Sequence, residues 1–213
     1  MAAVTGGVTL RALHRGSACV VGAFAAVHLA NHLAGLAGVE THVAFMQAAR
    51  RVYRQPFLEA VLLACVAFQA ASGLRLVAAG WRTRRGAIAW LQAGSGAYLA
   101  FFLCVHVGAV LFGRTVLGLD TRFHFAAAGL HVPPLHWFFA PYYGLAVLAL
   151  AAHLGCAAWW RWQGRPRWGS MALASALGGG ALAGVAIVML LAGRIHAFEV
   201  PADYLRTFAP ALP

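Results

Sequence analysis

Five apolar runs bounded by charged or strongly polar residues divide the chain: Ser17 to Gly38, Phe57 to Ala79, Ala89 to Gly113, Phe138 to Trp160 and Met171 to Gly193. Each has the roughly 17 to 25 residues that a helix needs to cross a hydrocarbon layer of about 30 Å. The pattern predicts an all-α fold, an integral membrane bundle of five transmembrane helices forming a single domain over residues 1–213. The connection from Val39 to Pro56, which contains THVAFMQAARRVYRQP, is polar and amphipathic and suits the membrane interface. Arg82, Arg84 and Arg85 mark a short second connection. The third, Arg114 to Trp137, is longer and carries Asp120, Arg122, His124, His131, Pro133, Pro134 and His136, and the fourth, Arg161 to Ser170, is short and basic. No internal repeat or Gly/Ser linker interrupts the series, and GGGALAG in the fifth run suits close packing against a neighbouring helix or a flat cofactor.

Composition agrees with this reading, since 62% of the 213 residues are hydrophobic and only 10% are charged. That is too little charge to coat a soluble globule. A formal charge of +11 would suggest nucleic-acid binding in a soluble protein. Here all 16 basic residues are arginines clustered between apolar runs, which is a topology signal, and nucleic-acid binding is not expected. With the N-terminus cytoplasmic, the arginines divide nine to seven in favour of that side, a weak bias toward an N-inside, multi-pass protein of a bacterial-type inner membrane. Arg11 and Arg15 precede the first run as in a secretory signal, but that run exceeds the roughly 7–15 apolar residues of a signal peptide. Cys19, Cys65, Cys104 and Cys156 lie within apolar runs without a CxxC pair, which excludes zinc ribbons, thioredoxin chemistry and covalent haem attachment. Trp90, Trp159, Trp160, Trp162 and Trp168 cluster at run ends as interface belts.

The informative residues in such a bundle are polar ones that lipid should exclude, and histidine recurs: His28 and His32 in the first run, His106 in the third and His153 in the fourth. A single one of these reads equally well as hydrogen-bonding glue between helices. Depth distinguishes them. His28 lies ten residues and His106 seven residues from the same predicted outer surface, about 15 and 10 Å along the axis. These two can meet at one level, whereas His153 lies toward the opposite side. Two neutral imidazoles facing each other from different helices are what a low-spin b-type haem requires. A zinc ion would prefer a third or fourth ligand at that depth. His42, His124, His131, His136 and His196 read as solvated or interfacial.

The runs VHLANHLAG, PFLEAVLL, LQAGSGAYLAFFLCVH and AAHLGCAAWW, in this order and spacing, resemble the five-helix cytochrome b membrane anchors of succinate dehydrogenases and fumarate reductases that carry two haems. The likeness covers most of the chain, from RALHRG to AAHLGCAAWW. It implies that His28 and His106 ligate an outer haem b, with His32 a neighbour or substitute, and that His153 is one ligand of an inner haem. The family takes the second inner ligand from the second helix, where a histidine precedes a glycine by four residues. In FQAASGLRL that position is Gln69, with Gly73 matching the glycine. An amide oxygen is a poor iron ligand beside an imidazole. Three outcomes stay open: one outer haem only, an inner haem with one strong ligand, or recruitment of another residue such as His14.

Glu59 near the outer end of the second run is either an ordinary interfacial carboxylate or, as the resemblance implies, the proton acceptor in quinol oxidation. The implied protein is a membrane anchor that passes electrons between flavoprotein and iron–sulfur subunits and a quinone, menaquinone by the resemblance, and is not catalytic alone. The chain itself has neither a dinucleotide fingerprint nor a cluster-forming cysteine set. The alternatives are a haem-free helical transporter or assembly factor, and a cytochrome b anchor for another oxidoreductase such as a hydrogenase.

Overall fold

A computed structural model describes residues 2–208, with side chains from residue 10 onward. These residues form helices and connecting turns, and no strand occurs among them. In chain order the helices are α1 (Ala2–Ala34), α2 (Val39–Tyr53), α3 (Pro56–Ala79), α4 (Ala87–Thr115), α5 (Phe123–Ala128), α6 (His136–Arg161), α7 (Pro166–Leu191) and α8 (Ala202–Leu205). Five segments are long and apolar enough to cross a membrane: Leu10–Ala37, Pro56–Ala79, Ala87–Thr115, His136–Arg161 and Pro166–Leu191. The protein is therefore an all-helical, multi-pass membrane bundle, with helices at the five places where apolar runs predict them.

The first boundary differs from expectation. The apolar run begins at Ser17, but α1 is helical from Ala2, and its membrane-length segment starts at Leu10. Arginine is a good helix former with a long apolar stem, so Arg11 and Arg15 do not stop a helix as charge-bounded counting assumes. As a consequence His14 becomes a bundle residue. Other boundaries follow local chemistry. Proline opens α3 at Pro56 and α7 at Pro166, where its missing N–H costs nothing. Gly38, at a φ of 139°, makes the reversal from the 3-10 turn Gly35–Ala37 into α2, a conformation that disfavours any side chain. Glu40 in the first turn of α2 and Arg50 and Arg51 in its last complement the helix dipole.

The spanning helices pack in the order α7, α6, α4, α3, α1, with a light closing contact between α1 and α7. The α6–α7 seam is the tightest, because small residues let the backbones approach. A Cβ on Gly184 would lie 3.0 Å from the Gly144 carbonyl oxygen, and one on Gly180 would collide with Ala151. The glycines of GGGALAG that touch anything therefore meet a helix. At one end, hereafter the capped end, α2, α5 and α8 lie over the bundle. Phe123, Ala127, Leu130, Ile187, Leu190 and Leu191 form the fully packed core there. Arg50 bridges to Asp120 at 2.7 Å, Arg54 donates to Thr121 at 2.9 Å, and the Tyr204 hydroxyl donates to the Asp120 carbonyl at 2.9 Å. His131 and His196 donate to the carbonyls of Leu191 and Leu36, each at 2.9 Å, and so close the exposed ends of α7 and of the 3-10 turn. Trp81, Trp90, Trp160 and Trp168 lie exposed toward the other end, as an interface belt requires.

Candidate functional site

The bundle interior contains an apolar cavity of about 980 Å³. It is lined mainly by α1, α3, α4 and α6, with α2, α5 and α7 contributing at the capped end, and the α1 residues lining it run from Arg11 to His32. Those 21 residue steps correspond to about 30 Å of helix, so one space extends through most of the membrane-spanning length. Its volume is at the upper end of the roughly 300–1,000 Å³ typical of a single ligand site.

In the capped half, four imidazoles converge. The ring centres of His28 on α1 and His106 on α4 lie 6.0 Å apart. His32 stands 4.7 Å from His28 at nearly a right angle, and His42 on α2 stands 5.0 Å from His32. Two imidazoles placed on opposite sides of one metal, with bonds of about 2.0–2.1 Å, have ring centres roughly 6 Å apart. The His28–His106 separation matches that requirement. Each of the two rings is also stacked on a phenylalanine one turn earlier in its own helix, His28 on Phe24 at 5.7 Å and His106 on Phe102 at 4.9 Å, both with planes inclined by 13°. The i, i+4 spacing produces this stacking, and it limits the rotation of each ring. Among the described residues no three His, Cys, Asp or Glu side chains are grouped so as to hold one metal ion. A closed tetrahedral site is therefore not assembled, whereas a two-imidazole site for a flat macrocycle fits the donor set and the cavity.

His28 and His32 differ in their surroundings. His28 is the ring that faces His106, while His32 is buried behind it with Nδ1 lacking a partner. The expectation that His42 is solvated or interfacial is overturned. Only 2% of it is exposed, it packs against Phe123, and its Nε2 pairs with Asn31 Nδ2 at 3.1 Å. Burial, reinforced by His28 and Arg50, pushes its pKa down to about 4. The amphipathic pattern of the connection carried the signal, since His42 and Met46 fall on one face of α2 and are the buried residues of that helix. His124 is partly buried beside Phe198 and Tyr204, and burial together with Arg122 and His131 lowers its pKa.

Arginines border this half of the cavity. Nε of Arg50 and Nε of Arg122 are buried without a hydrogen-bond partner. Glu59, in the first turn of α3, lines the same cavity and is ion-paired to Arg114 of α4 at 2.6 Å, with about a quarter of each side chain exposed. Arg114 was not anticipated as its partner.

The other half contains His14, Gln69 and His153. Gln69 does not extend toward a partner across the cavity. Its amide Nε2 donates to the His14 carbonyl and, at 2.7 Å, to the Ser17 hydroxyl, so it joins α3 to α1. His153 on α6 is held against α4, with Nδ1 3.1 Å from the Gln92 carbonyl oxygen. As the depth count implies, it does not join His28 and His106.

No protein-family model matches the chain, and no curated protein and no solved structure matches it. Fold and site alone define its class, a five-helix membrane-spanning bundle built around a histidine-lined interior cavity.

Proposed function

We propose that the chain is the membrane anchor and electron-transfer subunit of a succinate dehydrogenase- or fumarate reductase-like complex. In this reading it passes electrons between a peripheral flavoprotein and iron–sulfur pair and a membrane quinone through b-type haem. The observation that carries the proposal is the His28–His106 pair, with ring centres 6.0 Å apart across a cavity at one level of the bundle. These residues would hold the iron of haem b, which when bound supplies a one-electron carrier inside the membrane-spanning region. Phe24 and Phe102 restrain the two rings, and the unpaired Nε–H groups of Arg50 and Arg122 suit the carboxylates of such a macrocycle. Glu59 borders the same space and accepts a proton from quinol, menaquinol by resemblance, while Arg114 orients the carboxylate. Flavin and iron–sulfur chemistry belongs to partner subunits, because the four cysteines are dispersed and free. The N-terminus is cytoplasmic in this proposal, and the capped end faces out.

The cavity extending through most of the bundle favours, as a second reading, a haem-free histidine-lined path for protons or a metal ion. A reduced-minus-oxidised and pyridine haemochrome spectrum of the purified chain separates the two. A Soret band, with protohaem loss in His106→Ala and His28→Ala, is the expected result. A colourless protein from haem-replete cells sinks the electron-carrier reading.

A further inference from the structure

Charge is divided unevenly between the two ends of the bundle. All five carboxylates, Glu40, Glu59, Asp120, Glu199 and Asp203, belong to segments at the capped end, whereas nine arginines and no acidic residue lie toward the other. Three of the nine, Arg11, Arg15 and Arg84, line the cavity where it reaches that end. Arg84 is held in place there. Its Nη2 donates to the Val77 carbonyl at 3.2 Å, its guanidinium lies 5.2 Å from the centre of the Trp90 ring, and its Nη1 is buried without a partner. Gly80 makes room for the group, since a Cβ there would lie 2.8 Å from Nη2. Trp90 and its neighbour Trp81 are exposed at this end, and tryptophans of such a belt sit at the level of lipid headgroups. A buried N–H without an acceptor, at headgroup level and beside two further cations, suits a phosphate oxygen.

The space behind these arginines suits an apolar occupant. Its polar side chains each bond to the protein: Gln69 to the His14 carbonyl and Ser17, His14 to Ser72, His153 to the Gln92 carbonyl, and the Gln92 amide oxygen to Trp160 Nε1. The rest of the lining is largely aliphatic, with Val21, Leu63, Val66 and Leu150 among it. His14 and His28 are 14 residues apart on α1, about 21 Å along the axis. This half is therefore deeper than the hydrocarbon of one leaflet, about 15 Å. The helices also leave a way in from the side. The ring closes onto α7 at the capped end, where Leu29 packs on the core that includes Ile187 and Leu190, and Gly35 lies against Leu190. Toward the arginine end α1 leans on α3 and makes no extended packing with α4 or α6. A Cβ on Gly16 or Gly22 of α1 would meet no atom within 4 Å.

We propose that this half of the cavity binds one anionic phospholipid, its phosphate held by Arg11, Arg15 and Arg84 and an acyl chain lying in the apolar space that ends at the His28–His106 pair. The inference goes beyond the electron-carrier reading and does not depend on it. The test is native mass spectrometry of the full-length chain, stripped of lipid in detergent and titrated with phosphatidylglycerol or phosphatidylcholine. One tightly held phosphatidylglycerol per chain is expected, with phosphatidylcholine weaker by about tenfold or more. Arg84→Gln and Arg15→Gln should each weaken phosphatidylglycerol about fivefold, the equivalent of one arginine at a lipid phosphate. Gly22→Leu, which extends a side chain into the cavity from a position with open space, should release the lipid without lowering the unfolding midpoint. Arg165→Gln and Arg167→Gln, at the same end but outside the cavity lining, should leave binding unchanged. Equal affinity for the two lipids, equal losses in Arg165→Gln and Arg84→Gln, or full binding in Gly22→Leu overturns the proposal. A haem-to-polypeptide ratio of two also overturns it, because a second porphyrin would fill the same half.

Discussion

Gln69 of α3 donates hydrogen bonds to two groups on α1, the His14 carbonyl and the Ser17 hydroxyl. Polar ties between helices are among the few directional forces in a bundle whose outer surface and lipid are equally apolar. Gln69→Leu is therefore expected to lower stability by about 0.6–1.7 kcal/mol, measured as a lower midpoint of unfolding in detergent. A midpoint unchanged in Gln69→Leu would show that this tie contributes nothing to the α1–α3 seam.

The ion pair of Glu59 and Arg114 is partly exposed. It should contribute less than about 1 kcal/mol to stability. Glu59→Gln keeps the shape and removes the proton acceptor, so haem content and melting should hold while quinol-linked electron transfer falls at least tenfold. Full turnover in Glu59→Gln would return the carboxylate to an ordinary interfacial role. Arg114→Gln should slow turnover less, because it leaves the carboxylate in place.

His42 gives stability an acid dependence. Its folded pKa, about 4, is below the ordinary 6.5 of an unfolded chain. The unfolded state therefore binds a proton that the folded state refuses between those values, and the sign follows directly. The contribution is fully present above about pH 6.5, declines as pH falls toward 4, and levels off below that. The loss should be on the order of 1–3 kcal/mol. Unfolding midpoints measured from pH 7 to pH 4 should fall more steeply for the unmodified chain than for His42→Phe. Parallel curves would contradict the assignment.

Close backbone approach between α6 and α7 depends on Gly180 and Gly184. Gly180→Ala brings a methyl group against Ala151 and should cost about 1–3 kcal/mol. Gly178→Ala, whose new methyl would meet no atom within 4 Å, should be neutral or stabilising, since alanine favours helix by about 1 kcal/mol over glycine. Thermal unfolding of the pair in one detergent would decide this, and equal losses would remove the packing explanation.

Hydrophobic run length made the five spans legible, because an unpaired backbone amide in hydrocarbon is so costly that long apolar segments become helices. That His28 and His106 can meet was equally legible, since helical rise converts residue number into distance along the axis. Counting charges misplaced the start of α1, as Arg11 and Arg15 continue a helix without difficulty. It also left His42 outside the bundle, because periodicity identifies a buried face without saying what covers it.

The amino-acid order alone determined an all-helical membrane bundle and the axial spacing of its histidines, since both depend on distances along a single helix. Which rings face each other, the ion pair of Glu59 with Arg114, and the role of Gln69 as a tie between α1 and α3 were decided only by tertiary structure. The physical reason is that helix rotation and neighbour choice are set by packing between segments far apart in the chain. In this protein the contacts that decide them are small residues and isolated polar groups, too sparse to leave a periodic signature.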